Sequence, residues 1–206
     1  MKSSISQRRF IFGLAFGVSV LPFAHAAPTV IQTANYGGHT YHLLSEDNWF
    51  NSESAAQTLG GHLATVEDAA ENSFLVSTFE DAALGMAPSS AGIVSLWIGL
   101  NNVENVSNYV WSSGSSAEYR NWAFFQPQNI YADERYVGII VRDFGYPQNP
   151  TAALGYWHDI VSDDRFNNVN FGIAEISVIP EPEIYMMLLA GLGLLSIAMY
   201  RQKNNY

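Results

Sequence analysis

The side chains best suited to chemistry fall in one stretch, Asn121-Trp122-Ala123-Phe124-Phe125-Gln126-Pro127-Gln128-Asn129, with Asp133 and Glu134 close behind. The amides of Gln126, Gln128 and Asn129 and the two carboxylates offer oxygen lone pairs, and Pro127 restricts the backbone between them. Such a loop can present oxygens to a cation or to hydroxyl groups. The aromatic residues that precede Gln126 are expected to be buried and to hold the start of the loop. Pro, Asn and Gln also gather in turns for local reasons, so the stretch alone reads first as an ordinary polar turn.

Catalytic arrangements are missing. His158 and Asp159 are neighbours in an expected strand, where successive side chains point to opposite faces, so they cannot form a relay with one another. His39, His42 and His62 fall in hairpin and helix-exit contexts that suit packing or exposure. No nucleophile elbow, phosphate loop or paired-histidine metal motif occurs. The absence of cysteine excludes zinc-thiolate sites, thiol redox chemistry and cysteine nucleophiles. These features point to a binding protein and not to an enzyme.

The 206 residues divide by composition. In residues 1–26, Lys2, Arg8 and Arg9 precede an apolar run, Phe10 to Phe23, and Ala24-His25-Ala26 is a small-x-small cleavage pattern: a signal peptide cut after Ala26. Arg8-Arg9 leave twin-arginine export open beside ordinary secretion. Residues 27–178 carry 17 acidic residues against four arginines and no lysine, a net charge of −13. That excludes nucleic acid as a partner, because binding phosphates needs a basic surface. In residues 179–206, Pro180-Glu181-Pro182 stands before an apolar run, Ile184 to Tyr200, and the basic Arg201 and Lys203. The run is about long enough to cross a bilayer, for which roughly 17–25 residues suffice.

Proline-glutamate-proline, an apolar run and a short basic tail, in that order, resemble the PEP-CTERM sorting signal of Gram-negative bacteria. The resemblance implies transient membrane insertion through the C-terminal segment and processing by an exosortase-type enzyme. It places the mature protein at the cell surface or in an extracellular matrix rich in polysaccharide.

The loop must be positioned by the central segment. Asn35 to Leu44 reads as a hairpin turning at Gly37-Gly38. Asn48 can cap a helix from Trp49 to about Leu59, with Trp49, Ser52, Ala56 and Leu59 on one face and Gly60 or Gly61 ending it. A second helix is expected from about Glu67 to Phe79, burying Phe74, Leu75 and Phe79. Short strands follow at 95–100, 109–112, 136–141, 155–159 and 171–176. Two early helices followed by antiparallel strands give an α+β order. With no disulfide available, stability must come from packing, to which five tryptophans can contribute heavily.

The order of landmarks then resembles a C-type lectin-like domain. They are Trp49 with Leu59-Gly60-Gly61-His62-Leu63-Ala64; Glu71-Asn72-Ser73-Phe74; Trp97-Ile98-Gly99-Leu100; Trp111, Gly114 and Tyr119-Arg120-Asn121-Trp122; Gln126-Pro127-Gln128; and Trp157-His158-Asp159. The resemblance implies a double-loop α+β fold. Its terminal strands pair, its two helices pack on small antiparallel sheets, and a long loop, here about Asn101 to Glu134, carries the ligand. It implies a carbohydrate partner, such as a glycan or extracellular polysaccharide, or alternatively a matrix protein. Ala56 with Ala174, and Tyr136 with Ser162, stand where the family has its two usual disulfides, so compensating apolar packing is expected around Ala56 and Ala174. The family's shared calcium and sugar site maps onto Gln126, Gln128, Glu134, His158 and Asp159, with Asn129 and Asp133 as auxiliaries. Calcium takes roughly six to eight hard oxygens, whereas His158 offers nitrogen, which suits zinc or copper better. Two outcomes stay open: a weak calcium site at Gln126, Gln128, Glu134 and Asp159, or a retained scaffold whose metal site has lapsed.

Overall fold

The computed structural model describes residues 26–143, 154–162 and 167–177, together with helical positions at 187–190, 192 and 194. The leader before Ala26, the insertion carrying Pro147 and Pro150, and the Pro180-Glu181-Pro182 motif lie outside the described residues. Among the described residues no helix is long and apolar enough to cross a membrane.

Val30–Tyr36 (β1) and His39–Glu46 (β2) form the expected hairpin. Gly37 and Gly38 turn it with φ of 60° and 87°, left-handed values that glycine adopts without steric penalty. Asn48 then caps Trp49–Thr58 (α1), its side chain accepting the Asn51 amide at 2.9 Å. Trp49, Ser52 and Ala56 are buried as their spacing predicts, but Leu59 is 39% exposed. Leu59 is the C-cap, and at Gly60, with φ of 92°, the chain has already left the helical face. After a short strand, His62–Leu63 (β3), Asp68 caps Ala69–Met86 (α2). This helix runs beyond the predicted end at Phe79 because Leu75, Phe79 and Ala83 continue one fully buried stripe at four-residue spacing.

The remaining strands are Ile93–Asn101 (β4), Val110–Trp111 (β5), Tyr136–Asp143 (β6), Trp157–Ile160 (β7) and Val169–Ser177 (β8). Instead of small, wholly antiparallel sheets, they form one eight-stranded sheet in the order β1-β2-β8-β4-β6-β7, with β3 on β8 and β5 on β4. Within it β4 and β8 run parallel, Leu96 opposite Phe171. Hydrophobic pattern reports which faces are buried, and carries no information on the direction of a partner strand. The pairing of β2 with β8, His42 opposite Ala174, brings the first and last parts of the domain together.

Strand β4 is buried on both faces, and its alternation divides the interior. Leu96, Ile98 and Leu100 join the main cluster with Leu75, Phe79, Ile139, Trp157 and Phe171. Trp97 points the other way, into a cluster with Trp49, Leu63, Tyr136, Ile160 and Val161. A third cluster packs Ala56 and Ala174 with Leu44, Ala55 and Ile176, which is the apolar compensation expected at the first missing disulfide. Space there is tight: a Cβ added at Gly61 would lie 1.9 Å from the Glu175 carbonyl oxygen. Trp97 is fully buried, and its indole N–H donates to the Asp47 carbonyl at 3.0 Å. Trp97→Ala is therefore expected to lower stability by about 3–5 kcal/mol, with reductant having no effect on either protein. Urea unfolding checks this; a loss below about 1 kcal/mol, typical of surface sites, would remove Trp97 from the core.

A candidate binding loop anchored on Trp157

The loop is built outward from β7. Trp157 is fully buried and meets Trp111, Tyr119 and Trp122 edge-on, with ring centroids 5.9, 5.6 and 6.0 Å away. Its indole donates to Asn72 Oδ1 on α2 at 2.7 Å. Its backbone N–H donates to the Asn121 carbonyl, and its carbonyl accepts from the Ala123 amide, both at 2.8 Å. Trp122 is thus half-buried and holds the start of the loop as expected. Phe124 and Phe125 are not buried: they are 84% and 79% exposed, their rings 4.1 Å apart. The turn that carries them closes from the Gln126 amide to the Ala123 carbonyl, and Phe125 adopts a φ of 64°, which turns the pair away from the core.

Two residues beyond Trp157, on the same face of the strand, Asp159 organises the rest. Its carboxylate accepts from the Gln128 amide at 3.0 Å and from the Asn129 amide at 2.8 Å. Its own amide donates to Gln126 Oε1 at 3.2 Å, across the cis Gln126–Pro127 bond. Gln128 and Asn129 are exposed at the loop surface, and Asn129 Oδ1 accepts from the fully buried Asn102 at 3.3 Å. Glu134 folds inward, accepting from the Tyr131 amide at 3.0 Å. Burial raises its carboxyl above the usual range; backbone donors at Tyr131 and Ile130 pull it down, and the Asp159 and Asp133 charges push it up. The structure thus brings Gln126, Gln128, Asn129, Glu134 and Asp159 into one loop system.

His158 does not join them. Strand alternation sends it to the opposite face, fully buried, where its Nε2 hydrogen-bonds Ser95 Oγ at 2.7 Å. The adjoining Ile160 shares that face with Trp97. Burial pushes the imidazole pKa down to about 3. Asn102 and Tyr109, which support the loop from below, carried no motif by which the sequence could mark them. The Tyr109 hydroxyl is held protonated by burial and then by the nearby Asp159 charge.

The donor set fits calcium poorly. The Gln126 carbonyl oxygen and both Asp159 oxygens already accept backbone N–H groups, and Glu134 turns back onto its own segment. Among the described residues no group of three or more His, Asp or Glu is placed to hold a metal ion. The oxygens left unengaged by these bonds, on Gln128, Asn129 and Glu134, fall short of the roughly six to eight that calcium takes.

This geometry, a double-loop α+β scaffold whose long loop is pinned to a tryptophan-bearing strand, is that of a lectin-type binding domain. The sequence profile of the Lectin C-type domain matches residues 45–168, and the chain belongs to that family. It is 28% identical over 147 residues to Lectin BRA-3 of Megabalanus rosa, covering 70% of this chain and 75% of that one. It is 33% identical over 121 residues to one component of the snaclec coagulation factor IX/factor X-binding protein of Protobothrops flavoviridis, covering 56% of this chain and 77% of that one. The solved structure of human lithostathine superposes with a TM-score of 0.54 at 18% identity, over 70% of this chain and 96% of the other. Members of the family are non-enzymatic binding proteins, and the chain is not an enzyme.

The two titrating groups pull in opposite directions. His158 stays neutral in the native state to about pH 3, whereas a solvated imidazole in the unfolded chain takes a proton near ~6.5. Between these values the unfolded state binds more protons, so the stability His158 contributes above that range is lost as pH falls. Glu134, raised in the native state, contributes stability in acid that is lost as pH rises through its raised value. The stability difference between wild type and His158→Gln should therefore shift by roughly 3–5 kcal/mol between pH 7 and pH 3. Denaturant titrations across that range measure it, and a constant difference would contradict the neutral, buried imidazole.

Proposed function

We propose that this protein is an exported, matrix-associated carbohydrate-binding protein whose loop from Gln126 to Glu134 contacts glycan hydroxyls without depending on calcium. The observation that carries the reading is the two-pronged acceptance of the Gln128 and Asn129 amides by Asp159. A carboxylate used in this way orders the loop from inside the protein, so the exposed Gln128 and Asn129 amides need no ion to set their positions. Carbohydrate as the ligand is supported by family membership and by the lectin name of a relative. A protein partner is the second reading, supported by the factor-binding name of another relative and by the exposed Phe124 and Phe125.

Glycan-array binding by the full chain, with calcium and with chelator, tests the proposal. Binding should be the same in both conditions, and Asp159→Asn should weaken it at least about tenfold, because the new amide –NH₂ faces a backbone N–H and a charged hydrogen bond of ~1.5–3 kcal/mol is lost. Binding abolished by chelator would restore the calcium site. Silence toward glycans with capture of a defined protein would select the second reading.

Export and processing belong to the same proposal and rest on the sequence at both ends. The residues before Ala27 are removed as a leader, and the Pro180-Glu181-Pro182 segment directs an exosortase-type enzyme to the C-terminal apolar run, which is inserted in the membrane only transiently. Intact mass of the protein recovered from the culture medium should then lack both apolar runs; a species retaining residues 184–200 would show a permanent anchor.

A further inference from the structure

A second feature lies where the family's other disulfide is missing. Tyr136 opens β6 and Ser162 follows β7, and in place of a covalent bridge between them there is a cleft of about 410 Å³. That volume falls within the roughly 300–1,000 Å³ of small-molecule sites. Its apolar surfaces are Phe50, Val103 and Tyr136. Phe50 projects from the first turn of α1, 53% exposed, and meets Tyr136 edge-on at 5.1 Å; Tyr136 in turn packs on Trp49 at 5.0 Å. Val103, 44% exposed, lines the same cleft. An aromatic ring held at the solvent edge by packing on its inner side offers a flat C–H-binding surface.

The polar part of the lining is equally specific. Asp133 and Arg135 bracket Glu134 in the chain, and while Glu134 turns into the loop these two line the cleft. Arg135 is positioned by hydrogen bonds to the Ala132 carbonyl at 3.0 Å and the Asn102 carbonyl at 3.3 Å. Asn48, the cap of α1, contributes an amide. Ser162 also lines the cleft, its Oγ itself buried. Carboxylate, guanidinium and amide together supply both acceptors and donors. The charges of Asp133 and Arg135 oppose one another, and the whole chain is at −10, which disfavours an anionic guest.

We infer that this cleft is a second binding subsite that takes one neutral pyranose unit, its C–H face on Phe50 and its hydroxyls on Asp133, Arg135 and Asn48. The inference rests on the carbohydrate reading above but concerns different residues. Asp133 and Arg135 of the cleft flank Glu134 of the loop in the chain, so the two sites are neighbours in sequence.

The test is a titration of the full chain with methyl β-D-galactopyranoside, methyl α-D-mannopyranoside and methyl β-D-glucopyranoside, followed through backbone amide chemical shifts. At least one glycoside should shift Asn48, Phe50, Arg135 and Ser162 together. Phe50→Ala should raise the apparent Kd for that glycoside about tenfold, the order expected for losing an aromatic contact. Val103→Trp, a substitution at an exposed lining position, should abolish those shifts with the rest of the spectrum retained. Shifts confined to the 126–134 loop, or cleft shifts indifferent to both variants, would overturn the subsite and leave carbohydrate binding standing. No shift anywhere with any of the three, with no binding on the glycan array, would overturn both.

Discussion

The exchange of backbone hydrogen bonds between Trp157 and the segment Asn121 to Ala123 is the constraint on which the 121–134 loop depends. An isolated loop of this length would pay a large entropy of ordering. Here its start is tied to a strand whose central side chain is enclosed by three aromatic rings and hydrogen-bonded to α2. Strand alternation then does the rest. The residue two places on, Asp159, must emerge on the same face as Trp157, directly under Gln128 and Asn129, while His158 must go the other way and be absorbed into packing near Ser95.

A common electrostatic theme runs through the domain. With no lysine and four arginines in residues 27–178, its inward carboxylates find few cations and take backbone amides, hydroxyls and imidazoles instead. Glu53 accepts from the Leu63 amide and from Ser112, and contacts His62 at 2.6 Å. Glu71 accepts from the Glu67 amide and from the Tyr41 hydroxyl. Glu175 accepts from the Thr65 amide and contacts His39 at 2.7 Å. Asp159 and Glu134 repeat the pattern in the loop. Each bond joins segments far apart or steadies a turn, so these acids act as connectors in a chain without disulfides. The same pattern explains the poor fit to calcium, since the oxygens that would face an ion face amides.

Packing replaces covalent bridges unevenly. At Ala56 and Ala174 the strands and α1 close up, with Leu44 and Ile176 filling the volume. At Tyr136 and Ser162 the large ring joins the Trp97 cluster, and both residues line a cleft. At the first site the neighbouring side chains close in, whereas at the second a cleft of about 410 Å³ stays open.

Much of the scaffold was legible in the residue order. Gly37-Gly38 and Asn48 with Trp49 are local signals whose physics acts over a few residues, and they placed the hairpin and the first helix start; the second helix starts at Ala69, capped by Asp68, two residues after the expected Glu67. Helical spacing marked Leu75 and Phe79 of α2 as interior, and the ordered landmarks from Trp49 to Asp159 named the family. The limits were equally physical. Leu59 shares the helical spacing of Ala56, yet a glycine one residue later removed it from that face. Phe124 and Phe125 are apolar enough for a core, but no core surface lay within reach of their turn. The parallel match of β4 with β8, the burial of His158, the support given by Asn102 and the hydrogen bonds that occupy Gln126 and Asp159 all depend on residues tens of positions apart. Local propensity therefore determined where elements begin and which face is apolar. Only the tertiary structure decided which oxygens face amides and which face solvent, because that choice is made by a neighbour the chain supplies from elsewhere.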